Sequence, residues 1–243
     1  MGVGARLLEV LERGERAVLL TVLEGEDRGA RLLVLAGGET IGEAPAGLAE
    51  LAAQIERNGV VEHEGQTIYA ELYGPPPRLI VVGAVDTAEA LCAVARLAGW
   101  RTIVVDARAQ FATPERLPSA DDILVSWPEE ALATIEPDRQ TAVVILAHDD
   151  KFDLPALQAA LAGPAFYVGA IGSRRTQSRR GERLVEAGVA EADVARIHGP
   201  AGLDLGADSP SETGLAILAE ILAVRAGRDG RPLRDSSQRI HVE

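Results

Sequence analysis

The segment AFYVGAIGSRRTQSRR, residues 165–180, has the residue types and spacing of an anion-binding turn. It begins as a short apolar strand, breaks at glycine and serine, and continues into a helical, arginine-rich run. Backbone N–H groups at a helix start are unpaired and the helix dipole favours negative charge there, while arginine offers paired donors to phosphate or carboxylate. The spacing also allows a second interpretation, a solvated basic helix start after an ordinary strand–helix turn. The candidate ligand-binding residues are Gly169, Gly172, Ser173, Arg174 and Arg175.

A second candidate segment, AHDDKFD at residues 147–153, follows another apolar strand. His148, Asp149 and Asp153 are residue types that ligate metals or move protons. The simpler interpretation is that Asp153 caps the next helix and the other two side chains are solvated. No metal ligand is assigned on this pattern alone.

The overall composition limits the classes of partner. The 243 residues carry a net charge of −13 and a pI near 4.8, which disfavours nucleic acid and anionic membranes as partners. Cys92 is the single cysteine, so an internal disulfide and a cysteine-cluster metal site are excluded. Charged residues interrupt the first apolar stretch and the apolar runs are shorter than a membrane span, so we expect a cytoplasmic protein.

From residue 78 onward, apolar strands alternate with helices, which predicts a parallel sheet covered on both faces. With right-handed crossovers this is a Rossmann-like, doubly wound α/β domain. Strands are predicted at 79–82, 102–105, 123–126, 142–146 and 166–168, and helices at 86–98, 128–135, 154–162, 174–187 and 210–226. Ser209, Pro210 and Glu212 form a strong start signal for the last helix.

The run Gly74-Pro75-Pro76-Pro77 marks the clearest boundary, because neither a helix nor an inner strand tolerates three prolines. We therefore predict a small α+β domain at residues 1–74, the Rossmann-like domain at 75–230 and a flexible tail at 231–243.

The first strand–helix turn departs from the dinucleotide-binding pattern G-x-G-x-x-G/A. Gly83 is present, but Val85 occupies the place of the middle glycine and would crowd a pyrophosphate. Asp86 puts a carboxylate where phosphate would bind, although it is also a residue type that caps helices. Asp106 ends the second strand, where a ribose-binding acid is expected. NAD(P) binding is therefore the weaker alternative.

Five segments together resemble the XdhC/CoxI family of xanthine dehydrogenase accessory factors. They are PPPRLIVVGAVDTAEAL, VVDARAQFATPERLPSADDILVSWP, VILAHDDKFDLPAL, FYVGAIGSRRT and RIHGPAGLDLGADSPSETGLAILAEILAVR. The resemblance extends over about residues 5–226, and the set is far more specific than any single glycine turn.

The resemblance implies a helper protein that binds the molybdenum cofactor (molybdopterin) and assists its sulfuration or its insertion into an apo-enzyme. The implied partners are a client molybdenum hydroxylase, a cysteine desulfurase and a second copy of the chain. The ligand-site positions carried over by the motifs are Gly83, Asp86, His148, Asp149, Gly172, Ser173, Arg174, Gly202 and Asp204.

Two departures from the family pattern bear on function. Many members have a Gly-Gly-Cys segment in the first domain, whereas residues 37–47 here contain no cysteine, and Cys92 is predicted to be packed in the core. Many members also read G-A-G-H where this chain has Gly83-Ala84-Val85-Asp86. Three hypotheses remain at this point: a cofactor-binding chaperone, a nucleotide-dependent oxidoreductase, and a scaffold protein without a small ligand.

Overall fold

The computed structural model describes residues 2–45, 47–55, 58–147 and 149–236. The chain forms two compact units. The first comprises the residues up to Pro75 together with 232–236, and the second is Pro76–Arg231. Within the described residues, no helix is long and apolar enough to span a membrane.

The first unit is built on a five-stranded antiparallel sheet with strand order β3-β2-β1-β5-β4. Its strands are β1 Ala17–Glu24, β2 Arg31–Leu35, β3 Thr40–Glu43, β4 Gly59–His63 and β5 Gln66–Tyr73, and its helices are α1 Val3–Arg13 and α2 Leu48–Ala52. Helix α1 packs through Val10 on one face of the sheet, and α2 packs through Leu48 on the other. The amphipathic pattern of residues 48–58 predicts one longer helix, but α2 ends at Ala52, and Glu56 and Arg57 lie outside the described residues.

The second unit contains a six-stranded sheet in which all neighbouring strands are parallel. Its strands are β6 Arg78–Val82, β7 Arg101–Val105, β8 Asp122–Leu124, β9 Thr141–Ile145, β10 Tyr167–Ala170 and β11 Ile197–His198. Its helices are α3 Asp86–Leu97, α4 Pro128–Ile135, α5 Asp150–Ala162, α6 Arg174–Glu186, α7 Glu191–Val194 and α8 Pro210–Arg225. The strand order β8-β7-β6-β9-β10-β11 is the 3-2-1-4-5-6 order of a Rossmann domain, so the predicted doubly wound fold is confirmed.

Both faces of this sheet are covered, which explains why its strands are apolar throughout. Val81 and Val144 point to the core under α3 and α8, while Val82 and Val143 point to the core under α4, α5 and α6. Helices α3 and α8 pack closely at Gly214, where an added Cβ would lie 2.8 Å from the Leu91 nitrogen.

The helix starts bear out one prediction and correct another. Ser209 and Glu212 form the expected capping box at the start of α8. Asp153 does not cap α5, because the helix begins four residues before the predicted start and its cap is Asp149, whose carboxylate accepts a hydrogen bond from the Lys151 N–H.

The Gly-, Asp- and Pro-rich residues 197–210 predict a long loop, but this segment starts with a short strand, because Ile197 and His198 extend the sheet beside β10. In the predicted tail, residues Leu233–Asp235 form one turn of 3₁₀ helix, and residues 237–243 lie outside the described part of the chain.

Candidate functional site

The carboxyl ends of β6, β9 and β10 lie side by side along one edge of the six-stranded sheet. The Leu146 N–H donates to Val82 O at 2.8 Å, and the Ile171 N–H donates to Ile145 O at 3.1 Å. The Ala201 N–H donates to Ala170 O at 3.0 Å, which holds the loop after β11 at the same edge. Ligands of open α/β sheets bind in the crevice at such an edge.

The turn after β6 needs a glycine at its first position. Gly83 has φ +113°, and an added Cβ would lie 2.9 Å from the Ala147 nitrogen. Any larger residue would force the start of the β9–α5 connection away from β6. Gly83 is therefore explained by close backbone packing, whatever ligand binds beside it.

The carboxylate of Asp106 is buried and fully engaged by protein donors. One oxygen accepts from the Ala84 N–H at 2.8 Å, and both oxygens accept from the Arg108 guanidinium at 2.8 and 2.9 Å. The Arg108 N–H is a further donor, at 2.9 Å. Burial acts to raise the pKa of Asp106, but these hydrogen bonds outweigh it and hold the pKa below its usual value. A ribose hydroxyl would have to displace one of these donors.

Asp86 is the first residue of α3 and does not cap it, since Val85 occupies the cap position. Its side chain is 82% exposed and lies 3.4 Å from Arg116. A carboxylate there repels an approaching phosphate, so the turn after β6 is poorly suited to a pyrophosphate.

The turn after β10 is open by comparison. Gly172 has φ +130°, and Ser173 caps α6 by accepting a hydrogen bond from the Thr176 N–H at 3.1 Å. Arg174 and Arg175 are exposed in the first helical turn, and neither guanidinium is paired with another described residue. The N–H groups of the first turn and two guanidinium groups without a described partner are therefore exposed at the same helix start.

A buried ion pair between α5 and α6 holds the turn after β10 in place. Arg180 is 4% exposed and Asp153 is 1% exposed, and the guanidinium donates to the Asp153 carboxylate. Arg180 also donates to Ile171 O at 3.0 Å and to the Gln177 side chain at 2.9 Å. Gln177 in turn donates to Ala170 O and Ile171 O. The basic helix start is thus only partly solvated, because one of its arginines is a structural group.

Gly169 is explained by packing, and Gly202 by its backbone conformation, with φ +112°. An added Cβ at Gly169 would lie 2.6 Å from the buried Tyr167 ring, and the Tyr167 hydroxyl donates to the Glu220 carboxylate at 2.6 Å. The Gly202 N–H donates to the same Glu220 carboxylate at 2.7 Å. The Glu220 carboxylate also lies 3.3 Å from the His198 ring nitrogen. Burial acts to raise the pKa of Glu220, but the hydrogen bonds with His198, Tyr167 and Gly202 outweigh it and lower the pKa.

The remaining predicted site residues are not brought into one cluster. His148 lies outside the described residues. Asp149 serves as the cap of α5, and Asp204 is an exposed residue of the loop between β11 and α8. Among the described residues, no three His, Cys, Asp or Glu side chains are grouped to hold a metal ion.

Cys92 is fully buried in α3, as expected from its place on the apolar side of that helix. Burial raises the pKa of its thiol to about 12, so it stays protonated and unreactive. It therefore does not fit the role of a thiolate ligand.

Sequence reasoning missed a row of arginine and aromatic side chains beside β7. Arg108 lies 4.6 Å from the Phe111 ring centre and 5.7 Å from that of Phe152. Arg116 lies 5.2 Å from Phe111, and Phe152 is stacked on Trp127 at 5.2 Å. We call these five residues the arginine–aromatic ladder. The available signal was the spacing of Arg108, Phe111 and Arg116 directly after Asp106.

Comparison with known proteins agrees with this architecture. The family model described as the XdhC Rossmann domain matches residues 79–221. The chain is 30% identical over 164 residues to the uncharacterized protein YqeB of Escherichia coli, covering 68% of this chain and 30% of that protein. It is 28% identical to a probable xanthine dehydrogenase subunit of Bacillus subtilis, over 67% of this chain and 48% of that one.

A third relative, the molybdenum cofactor insertion chaperone PaoD of Escherichia coli, is 31% identical over 63% of this chain and 42% of its own length. The chain thus spans between about a third and half of these relatives. A crystal structure described as a xanthine dehydrogenase from Bacillus halodurans shares the fold, with a TM-score of 0.64, 23% identity, and coverage of 96% of this chain and 65% of that one. The family model covers more than half of the chain, which therefore belongs to the XdhC family.

Proposed function

We propose that this protein is an accessory factor of molybdenum enzymes. In this proposal it binds the molybdenum cofactor at the carboxyl edge of its six-stranded sheet and assists its sulfuration or its insertion into a client molybdenum hydroxylase. The observation that carries the proposal is the exposed start of α6, where Arg174 and Arg175 are unpaired with other described residues. Membership of the XdhC family and the name of one relative, a molybdenum cofactor insertion chaperone, support it.

The residues at this start fit the phosphate end of a pterin cofactor. A terminal phosphate accepts hydrogen bonds from helix N–H groups and from the forked donors of arginine. Gly172 and Ser173 give the turn its shape, and the Arg180–Asp153 pair holds it in place. When bound, the cofactor would supply the redox-active metal, while this chain would bind, orient and shield it.

The described residues do not fit a thiolate role toward molybdenum, because Cys92 is the only cysteine and is buried. The proposal is therefore one of binding through the phosphate end of the cofactor. Hydride transfer from NAD(P)H has less support, since the Asp106 carboxylate is already engaged by Arg108 and Ala84. A homodimer and a cysteine desulfurase partner remain parts of the proposal.

The test is equilibrium binding of molybdopterin to the wild-type protein and to the double variant Arg174→Ala/Arg175→Ala. The loss of charge-assisted hydrogen bonds should weaken binding about tenfold or more. The matched control is Arg139→Ala, an exposed arginine just before β9 at the opposite edge of the same sheet. It should bind like the wild type.

A second readout is reconstitution of an apo molybdenum hydroxylase with added cofactor. The wild-type protein should raise the yield of active enzyme, and the double variant should not. Wild-type affinity in the double variant would refute the phosphate anchor at α6. Absence of any pterin binding by the wild type would refute the proposed function and favour a scaffold role.

A further inference from the structure

We propose that His198 belongs to the cofactor site and that its ring nitrogen Nε2 accepts a hydrogen bond from an N–H group of the pterin ring. Glu220 is the positioning residue that holds the imidazole in the form that accepts. This inference rests on the proposed function and deepens it, because the start of α6 would bind only the phosphate end of the cofactor. His198 would meet the ring at the other end.

His198 and Glu220 form a polar cluster that the proposed phosphate anchor does not use. The His198 Nδ1 lies 3.3 Å from one oxygen of the Glu220 carboxylate. The other oxygen accepts from the Tyr167 hydroxyl at 2.6 Å and from the Gly202 N–H at 2.7 Å. Residues of β10 and of the loop after β11 therefore fix this carboxylate of α8 in front of the imidazole.

The charge of the carboxylate determines which ring nitrogen of His198 carries the proton. Burial acts to raise the pKa of Glu220, but its hydrogen bonds outweigh burial and lower the pKa, so the carboxylate is ionised near pH 7. An ionised carboxylate only accepts hydrogen bonds, so the His198 Nδ1 is the donor. In a neutral imidazole the second nitrogen is then an acceptor, and Nε2 presents its lone pair.

The acceptor nitrogen is available to a ligand. Among the described residues Nε2 of His198 has no hydrogen-bond partner, and the side chain is 31% exposed. The ring is stacked on Tyr167, with the ring centres 4.5 Å apart. An imidazole bonded to a carboxylate through one nitrogen and open at the other is how proteins orient a histidine toward a ligand or a reacting group.

His198 also lies beside the proposed phosphate anchor. It ends β11 and pairs with Gly169 of β10, the strand that leads into the α6 turn. The next residue, Gly199, packs on α6 so closely that an added Cβ would lie 2.6 Å from the Gln177 side chain. Neighbouring strands are only about 4.8 Å apart, so one ligand can reach from the α6 turn to the end of β11.

The direction in which the pterin ring extends follows from the acceptors at this edge. The ring carries amide and amine N–H groups, and each of them needs an acceptor when it leaves water. Toward β6, the carboxylates of Asp106 and Asp149 already accept hydrogen bonds from backbone N–H groups. Toward β11, Nε2 of His198 is unused by the described residues, so we infer that the ring lies on that side of the anchor.

The test is equilibrium binding of molybdopterin to the wild type and to the matched pair His198→Asn and His198→Gln. The amide oxygen of glutamine can take the place of Nε2, whereas asparagine reaches only the place of Nδ1. His198→Asn should weaken binding about tenfold, since a pterin N–H loses its acceptor, and His198→Gln should stay within about threefold of the wild type. Inorganic phosphate, which lacks the ring, should bind all three proteins equally.

A second readout is the ¹⁵N NMR spectrum of the imidazole nitrogens, in which the His198 signals are those lost in His198→Gln. At mildly alkaline pH we expect the proton on Nδ1, and added molybdopterin should shift the Nε2 signal. Glu220→Gln places an amide donor beside Nδ1, so the proton should move to Nε2. Molybdopterin binding should then weaken about as much as in His198→Asn.

Wild-type affinity for molybdopterin in His198→Asn would overturn the inference, and so would an Nε2 signal that molybdopterin leaves unmoved. Equal losses of phosphate and molybdopterin binding in His198→Asn would overturn it as well, because they would indicate a structural role. The proposed function fails separately, if the wild type binds no molybdopterin. Loss of binding in Arg174→Ala/Arg175→Ala without loss in His198→Asn refutes this inference alone.

Discussion

The turn after β6 and the turn after β10 are built alike, yet they offer a ligand opposite surroundings. Each follows a buried strand, places a glycine with positive φ and starts a helix of 12 or 13 residues. At the first turn Val85 and Asp86 stand at the helix start, and its Ala84 N–H is bonded to Asp106. At the second turn two arginines that are unpaired with other described residues follow Ser173, and the nearest neighbours of an added Cβ at Gly172 would be the Thr176 and Gln177 side chains, at 3.2–3.5 Å.

The difference shows that a glycine turn in a doubly wound sheet is not itself a binding site. Its chemistry is decided by the side chains that neighbouring elements bring to it. Strand β7 delivers the Asp106 carboxylate to the first turn, whereas α6 delivers arginine to the second and anchors it through Arg180. A family pattern that includes both turns therefore predicts the end of the sheet at which ligands bind, but it does not predict which of the two turns binds them.

The largest effect on stability is expected at the Asp153–Arg180 ion pair, which holds the turn after β10 in place. Asp153→Ala leaves the Arg180 guanidinium buried with its carboxylate partner removed, which should lower the free energy of unfolding by about 3–5 kcal/mol. Urea denaturation measures the change. The control Asp149→Ala removes only a helix cap and should cost about 1 kcal/mol. Equal effects of the two variants would contradict the assigned role of the ion pair. The double variant Asp153→Leu/Arg180→Met should recover much of the loss, because it leaves no buried charge.

The second-largest effect on stability is expected at the turn after β6. Asp106→Asn should cost about 1.5–3 kcal/mol near pH 7, because charge-assisted hydrogen bonds from Arg108 and Ala84 are weakened. The pKa of Asp106 is lowered in the folded protein from an ordinary value of 3.8. Its stabilisation is therefore present above that ordinary value and is lost as the pH falls through the lower, folded-state pKa.

Wild-type and Asp106→Asn unfolding curves, measured in urea from pH 6 to pH 2, should consequently converge at the acidic end. The exposed Asp204→Asn serves as the carboxylate control at the same edge of the sheet, and it should follow the wild type throughout. A constant difference between wild type and Asp106→Asn at every pH would show that the carboxylate charge is not what stabilises the turn.

The smallest effect on stability is expected at two glycines, Gly169, which is needed for packing, and Gly172, which is needed for the turn. Gly169→Ala should lower the free energy of unfolding by about 1–3 kcal/mol, since its Cβ would overlap the Tyr167 ring, and it should leave molybdopterin affinity unchanged. Gly172→Ala should be strained by its φ of +130° and should weaken molybdopterin binding. The comparison fails if Gly169→Ala reduces affinity at unchanged stability.

Much of this architecture could be predicted from local patterns. Apolar runs located the first five strands of the parallel sheet, and Ser209 with Glu212 located the start of α8, because periodicity and capping are encoded within a few residues. The two-residue strand β11 could not be predicted, since Ile197 and His198 pair only because β10 offers an open edge.

The misplaced cap and the buried arginine have one physical cause. The sequence predicted that α5 starts at residue 154, but Asp149 begins the helix earlier and Pro155 is accommodated inside it. Asp153 is then turned into the protein, where Arg180 meets it from 27 residues further along the chain. Nothing in the sequence next to Asp153 or Arg180 indicates a partner so far along the chain. The same holds for the ladder, whose Phe152 and Trp127 come from separate loops and helices.

The contact between Gly214 and Leu91 also constrains how the protein can be made. Helix α3 precedes most of the sheet in the chain, yet part of the surface it packs against is supplied by α8, the last long helix. During synthesis from the N-terminus, the part of α3 at Leu91 that meets Gly214 is covered only after residues 210–225 have been made. Chains truncated before Pro210 therefore leave this part of α3 exposed and are expected to aggregate.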